Sequence, residues 1–279
     1  MIKNSLKVNL HTHTTYCDGT NTAEEMILSA IENGFDVLGF SGHSYTPFDE
    51  SYCMSLENTK RYVKEVRNLA KKYKDQITVL CGIEQDIYSN QTTDPYDYVI
   101  GSVHAFYKEY EGIGHYIYVD YDSDTIKEAS ANFYQGDYLA LAEDYFATLS
   151  DVTKITQCQI VGHFDLLTKF NEQNFMFEED HPRYEAAVDK ALSKLLVSNP
   201  IFEINTGAMS KGYRTTPYPA SSILRKIYRA GGRITINSDS HSASTLDYAF
   251  EEAVEAAYSC GFRTFWTMNQ EGKFIEQPL

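Results

Sequence analysis

Seven short apolar runs recur along the chain, each ending in polar residues before a helical pattern begins. They are "KVNLHTH", "FDVLGFSGH", "ITVLCGIE", "YDYVIGSVH", "CQIVGHFD", "PIFEINTG" and "GRITINSDSH". Runs this continuous in apolar residues suit strands covered on both faces. Strands alternating with helices require parallel pairing through right-handed crossovers. The punctuation agrees. Thr22 and Glu25 form a capping box opening a helix that runs to about residue 33, where Gly34 ends it. Further helices are expected over Leu56–Tyr73 and at about 136–150, 184–197, 220–230 and 244–259. "RTFWTM" reads as one short final strand. The Tyr- and Gly-rich, weakly periodic segment 105–135 reads as an excursion over one end of the fold.

With 279 residues, 43% of them hydrophobic, the chain can bury one large core. A single domain of α/β-barrel size is expected over 1–279, although an open doubly wound sheet shows the same alternation. No run of about 18 apolar residues implies a transmembrane helix, and the N-terminus lacks the apolar core of a signal peptide. A net charge of −15 argues against nonspecific binding to a nucleic-acid backbone. Five cysteines without a CxxC are expected as free thiols in a reducing cytoplasm.

The polar residues fall in one place. The seven runs end, in order, in His11 and His13; His43; Glu84; His104; His163 with Asp165; Glu203 with Asn205; and Asp239 with His241. Six of the eight histidines thus sit at strand C-termini, the ends that share one face in a parallel barrel. A lone histidine there is ordinarily a hydrogen-bonded core residue, and a lone HxH is a weak signal. The joint pattern outweighs six independent accidents. Glu84 strengthens it, because a carboxylate ending a buried strand is costly unless paired or metal-bound. With Asp18 from the first loop, nine side chains are candidate metal ligands: His11, His13, Asp18, His43, Glu84, His104, His163, Asp239 and His241. Imidazole with carboxylate suits Zn, Mn or Fe. One catalytic ion takes about three or four protein ligands, so two or three divalent ions are implied.

The motifs "HTHTTYCDG", "GFSGHS", "GIE", "GSVH", "VGHFD" and "NSDSH" occur in order along nearly the whole chain. This set resembles the PHP (polymerase and histidinol phosphatase) family. The length and the "EINTG…YPASSIL" stretch are most similar to members that hydrolyse L-histidinol phosphate in histidine biosynthesis. The resemblance implies a distorted seven-stranded (β/α) barrel with a trinuclear centre at the strand C-termini. It assigns His11, His13, Glu84 and Asp239 to the first ion. Glu84, as a bridge, joins His104 and His163 at the second, and His43 and His241 hold the third. Where some members have a further histidine for that ion, this chain offers Asp18. Glu84, Asp239 and His241 are the implied catalytic residues, acting on a small phosphomonoester by direct water attack. No Ser or Cys nucleophile is required.

Phosphate also calls for donors outside the metals. Arg214 lies in the loop after the sixth run, and its fork suits phosphate. Lys211, Ser102 and Lys169 are further candidates. Glu203, Asp165 and tyrosines of 105–135 are candidates for the amine and imidazole of histidinol. Three rival readings keep much of this pattern: a broader PHP phosphoesterase or nuclease, a metal-holding barrel without activity, and an amidohydrolase. The last ordinarily bridges its metals with lysine, where this chain has Glu84.

Overall fold

A computed structural model of the chain describes residues 5–279. β1 (Val8–Asn9) leads to α1 (Ala23–Glu32), which opens on the expected capping box: Thr22 Oγ1 accepts from the Glu25 amide, and the Thr22 amide donates to Glu25 Oε2 at 2.8 Å. Gly34, at φ 71°, follows its C-cap. β2 (Val37–Phe40) leads to α2 (Leu56–Tyr73), capped by Ser55 and burying Tyr62, Val66, Leu69 and Tyr73 along one stripe. β3 (Thr78–Cys81), β4 (Ile83–Asp86) and β5 (Val99–Ser102) follow. Next come a hairpin, β6 (Ala105–Tyr110) with β7 (Ile113–Tyr118), and the helices α3 (Ser123–Tyr134), α4 (Tyr138–Leu149) and α5 (Val152–Thr156). β8 (Ile160–Val161), α6 (Asn171–Asn174), α7 (Pro182–Leu195), β9 (Ile201–Asn205), α8 (Gly207–Ser210), α9 (Ser221–Arg229) and β10 (Arg233–Asn237) complete the alternation. α10 (Phe250–Ser259) precedes the antiparallel pair β11 (Thr264–Met268) and β12 (Phe274–Pro278).

The parallel strands form two sheets, β1-β2-β3 and β4-β5-β8-β9-β10, rather than one closed ladder. The third apolar run is divided between them. Its first half pairs with β2 and its second with β5, the break falling at Gly82. A Cβ there would lie 2.3 Å from the Tyr98 ring, so only glycine admits the phenol. Tyr98 in turn donates to the Leu10 and Phe40 carbonyls. Single bridges join the sheets at both seams, His43 to Glu84 and Thr12 to Ser240. The β1–β10 seam is also spanned by a side chain, Asn237 Oδ1 accepting from the Leu10 amide at 2.8 Å. Strands of both sheets contribute to one interior cluster that includes Val8, Leu10, Val37, Leu80, Tyr98, Ile100, Ile160 and Ile201. The larger core lies between strands and helices.

One expectation is made specific and two are corrected. The 105–135 excursion is an ordered hairpin followed by α3, with turn residues Glu111 and Gly112 both at positive φ, the type I′ geometry that matches strand twist. The last long helix begins only at Phe250, because Ala249 takes a left-handed conformation; upstream of it only a 3₁₀ turn forms, at Ala243–Thr245. "RTFWTM" is not alone but pairs with β12. All five cysteines are free, and among the described residues no helix is long and apolar enough to cross a membrane.

Candidate metal centre

The two bridges that join the sheets lie among the expected ligands. The Thr12–Ser240 bridge sets two i, i+2 pairs side by side: His11 and His13 flank Thr12, while Asp239 and His241 flank Ser240. Both pairs lie just past the ends of β1 and β10 and face one another, His11 Nε2 lying 3.5 Å from Asp239 Oδ1. His13 Nε2 lies 3.1 Å from Asp239 Oδ1, and the His13 and His241 rings stack with centroids 4.1 Å apart. The other bridge pairs His43 with Glu84 itself. The bridges therefore converge the ligands of both sheets on one spot.

Glu84, on β4, occupies its centre. Its Oε2 lies 2.9 Å from His43 Nδ1, 3.3 Å from His11 Nε2 and 3.6 Å from His13 Nε2. Its Oε1 lies 2.9 Å from His163 Nε2 and 3.3 Å from His104 Nε2. Asp18 reaches in from the first loop, 3.1 Å from His241 Nε2 and 3.6 Å from both His13 Nδ1 and His43 Nε2. All nine expected side chains thus meet. The groups compact enough to hold an ion are His13, Asp18, His43 and His241; His11, His13 and Asp239; and His43, Glu84 and His104. They overlap the expected sets, with His13 and His43 each shared between two groups.

The donor set fits a metal. His11 Nε2, His13 Nε2, Glu84 Oε2 and Asp239 Oδ1 are buried and make no hydrogen bond. Four orphaned polar atoms facing one another would cost several kcal/mol if nothing paired with them, at about 1–3 kcal/mol each; a cation satisfies them together. The electrostatics agree. Burial alone would push the Glu84 carboxyl up, but the imidazoles of His43, His11 and His104 hold it well below the usual carboxylate range. His13, buried between His241 and His43, is pushed down to about 3. Against its own burial, His43 is pushed up to about 9 by Glu84 and Asp18.

A second layer of side chains fixes this geometry. Glu203 is fully buried, with Oε1 accepting from His11 Nδ1 at 2.7 Å and Asn237 Nδ2 at 2.9 Å. Its Oε2 accepts from the His163 amide at 3.0 Å and Asn205 Nδ2 at 2.9 Å. Asp86 faces His104 Nδ1 at 3.3 Å, leaving Nε2 toward Glu84. Such carboxylate–histidine pairs fix ring orientation and tautomer. Asp239 sits at φ 50°, a left-handed conformation that costs a non-glycine residue about 1–3 kcal/mol. Gly207 leaves room for it, since a Cβ there would come within 2.9 Å of Asp239 Cβ and Oδ2.

Above the centre opens a cavity of about 430 Å³, the size of a small-molecule site. Asp18, His43, His104, His163, Asp239 and His241 line it, as do Lys169, Lys211, Asp49, Asp120 and the rings of Tyr52, Tyr118 and Tyr121. Two phosphate candidates lie elsewhere. Arg214 is buried behind the lining: its guanidinium donates to the Thr168 carbonyl and hydroxyl and to Thr216, and rests 4.9 Å from the Tyr218 ring. Ser102 faces inward on β5 against Gly162. Glu203 and Asp165 do not face the cavity either. Glu203 holds His11, and Asp165 accepts from the Ala220 amide at 2.9 Å, its carboxyl raised by burial to about 6. The 44–55 loop, with Asp49 and Tyr52, carries no sequence signal. Asp86 does carry one, since it stands two after Glu84 on the same strand face.

The PHP domain family model matches residues 9–207. The chain is 26% identical to the "Probable histidinol-phosphatase" of Schizosaccharomyces pombe over 280 residues, covering 92% of this chain and 87% of the relative. It is 26% identical to the histidinol-phosphatase of Bacillus subtilis over 269 residues, covering 88% and 97%. The solved structure of Lactococcus lactis histidinol phosphate phosphatase, complexed with Zn, L-histidinol and phosphate, superposes with a TM-score of 0.72 at 22% identity, covering 97% of this chain and all of that one.

Proposed function

This chain belongs to the PHP domain family, and from that premise we infer that it is a metal-dependent phosphomonoesterase hydrolysing L-histidinol phosphate to L-histidinol and phosphate in histidine biosynthesis. The observation that carries the inference is the convergence of nine imidazole and carboxylate side chains, four with orphaned atoms, beneath a cavity of substrate size. We read the two sheets as arcs of one distorted (β/α) barrel forming a single domain. The interior cluster shared by both sheets and the bridges at both seams support this. Free cysteines and a biosynthetic role fit the cytoplasm.

In this reading the nine side chains would hold two or three divalent ions, Zn, Mn or Fe, with Glu84 at their centre. Bound ions supply positive charge for the phosphoryl oxygens and lower the pKa of water to about 7. The protein's own part is orientation. Glu203 and Asp86 keep the protons of His11 and His104 on Nδ1, so that Nε2 faces the centre. Asn205 donates to Asp239 Oδ2 at 3.3 Å and, with the space above Gly207, fixes that carboxylate. Lys211 and Lys169, which line the cavity, would meet the phosphate, whereas Arg214 and Ser102 do not line it. Lys169 is held by the Asp120 carbonyl at 2.7 Å. Phosphate release from L-histidinol phosphate and from an aryl phosphate, measured side by side on metal-loaded protein, tests the function. A marked preference for the former is expected; equal turnover of both, or none of either, contradicts it.

A further inference from the structure

We propose that Asp49 is the specificity-determining residue for the leaving group, its carboxylate pairing with the ammonium on the carbon next to the ester carbon. The proposal rests on the substrate reading above and names the part of the cavity that reads the amine. Four aspartates line the cavity. Asp18 and Asp239 belong to the ligand cluster. Asp120 already neighbours a cation, Lys169 Nζ lying 3.8 Å from its Oδ2. Asp49 alone of the four neither belongs to the ligand cluster nor has a Lys or Arg within ion-pair distance among the described residues. It is half-buried, and its Oδ1 is aimed by the Ser51 amide at 2.8 Å.

The loop that carries Asp49 is pinned. Phe48 stacks on Tyr116 of β7 with ring centroids 3.6 Å apart and meets Tyr88 edge-on at 5.8 Å. The fixed loop holds its carboxylate at the cavity instead of trailing in solvent. Tyr52, from the same loop, sets its ring edge-on to His43 at 5.1 Å, so the loop abuts the ligand cluster. The substrate carries opposite charges on neighbouring positions, a phosphate and an ammonium. The lining offers Lys169 and Lys211 for the first and, in Asp49, one carboxylate without a cation beside it for the second, with tyrosine faces for the imidazole.

The test compares kcat/KM for L-histidinol phosphate with that for 3-(imidazol-4-yl)propyl phosphate, identical but for the amine. Asp49→Asn keeps an acceptor for the Ser51 amide, and metal content is measured alongside. The ratio of the two kcat/KM values should fall by about ten- to a hundredfold, the usual worth of a charge-assisted hydrogen bond. A ratio within about twofold of wild type overturns the proposal, including the case where both esters lose activity equally. A ratio that collapses in Asp120→Asn but not in Asp49→Asn overturns it too, moving the amine to the hairpin end. Failure of the underlying reading is distinct: wild type itself would then not distinguish the two esters.

Discussion

Glu203→Gln tests the second layer with a change of one atom. The four groups facing Glu203 are all donors: His11 Nδ1 and Asn237 Nδ2 at one oxygen, the His163 amide and Asn205 Nδ2 at the other. Glutamine must set its NH₂ against one of these pairs. Toward His11, it forces the imidazole to accept on Nδ1, moving the ring proton to Nε2, the atom that faces Glu84 and Asp239. Toward His163, it meets a backbone N–H that has no alternative, and an Asn205 whose Oδ1 already accepts from the Gly207 amide at 2.8 Å. Either orientation loses two charge-assisted hydrogen bonds in a fully buried place, about 3 kcal/mol or more in total. For a domain of this size that lowers Tm by roughly 6–12 °C. If glutamine takes the His11 orientation, metal affinity should also fall by about 10–100-fold, the usual cost of losing such an orienting partner. Thermal unfolding with and without metal, and chelator competition, read both effects. A Glu203→Gln protein with wild-type Tm and metal affinity would refute the reasoning.

Lys211→Ala should lower kcat/KM for the phosphate ester by about tenfold or more while leaving Tm unchanged, since Lys211 is exposed on the cavity lining. Arg214→Ala should do the reverse, lowering stability by about 2–4 kcal/mol through the lost bonds to Thr168 and Thr216; a large rise in KM at unchanged Tm would restore Arg214 as a phosphate ligand. In the metal-free protein, Glu84 and Asp18 outweigh burial and push His43 up to about 9, above its unfolded value of 6.5, so its protonation should stabilise that state fully below 6.5, an effect lost as pH rises through 9. Ligation requires the neutral ring, so metal uptake at pH 7 should release about one proton or more, and affinity should weaken as pH falls below 9. Calorimetry in two buffers of different ionisation enthalpy measures the release, and identical heats would contradict it.

Much of the centre was legible because strand periodicity and strand ends are local properties. The HxH and DxH pairs each close an apolar run with two metal-ligand side chains, and Glu84 stands out as a carboxylate ending another. What stayed hidden depends on neighbours distant in sequence. Whether Arg214 turns outward to phosphate or inward to Thr168 is decided by a segment 46 residues away. Glu203 looked like a pocket carboxylate, and only its partners, His11 at 192 residues' separation among them, make it a positioning residue. The division of the third run at Gly82 follows from Tyr98 claiming the space a side chain would fill. The β6–β7 hairpin leaves little trace in the sequence because most of its strand residues are at least partly exposed, so no buried face imprints a clear alternation.

The central claim is that the nine converging side chains are a multi-ion centre on which phosphate release depends. The most direct test titrates chelator-stripped protein with Zn²⁺ or Mn²⁺ while measuring phosphate release from L-histidinol phosphate. Negligible release without metal is expected, with activity rising until about two to three equivalents are bound, the number the nine ligands allow at three or four per ion. Full activity in the stripped protein, or saturation at a single equivalent, would contradict the account.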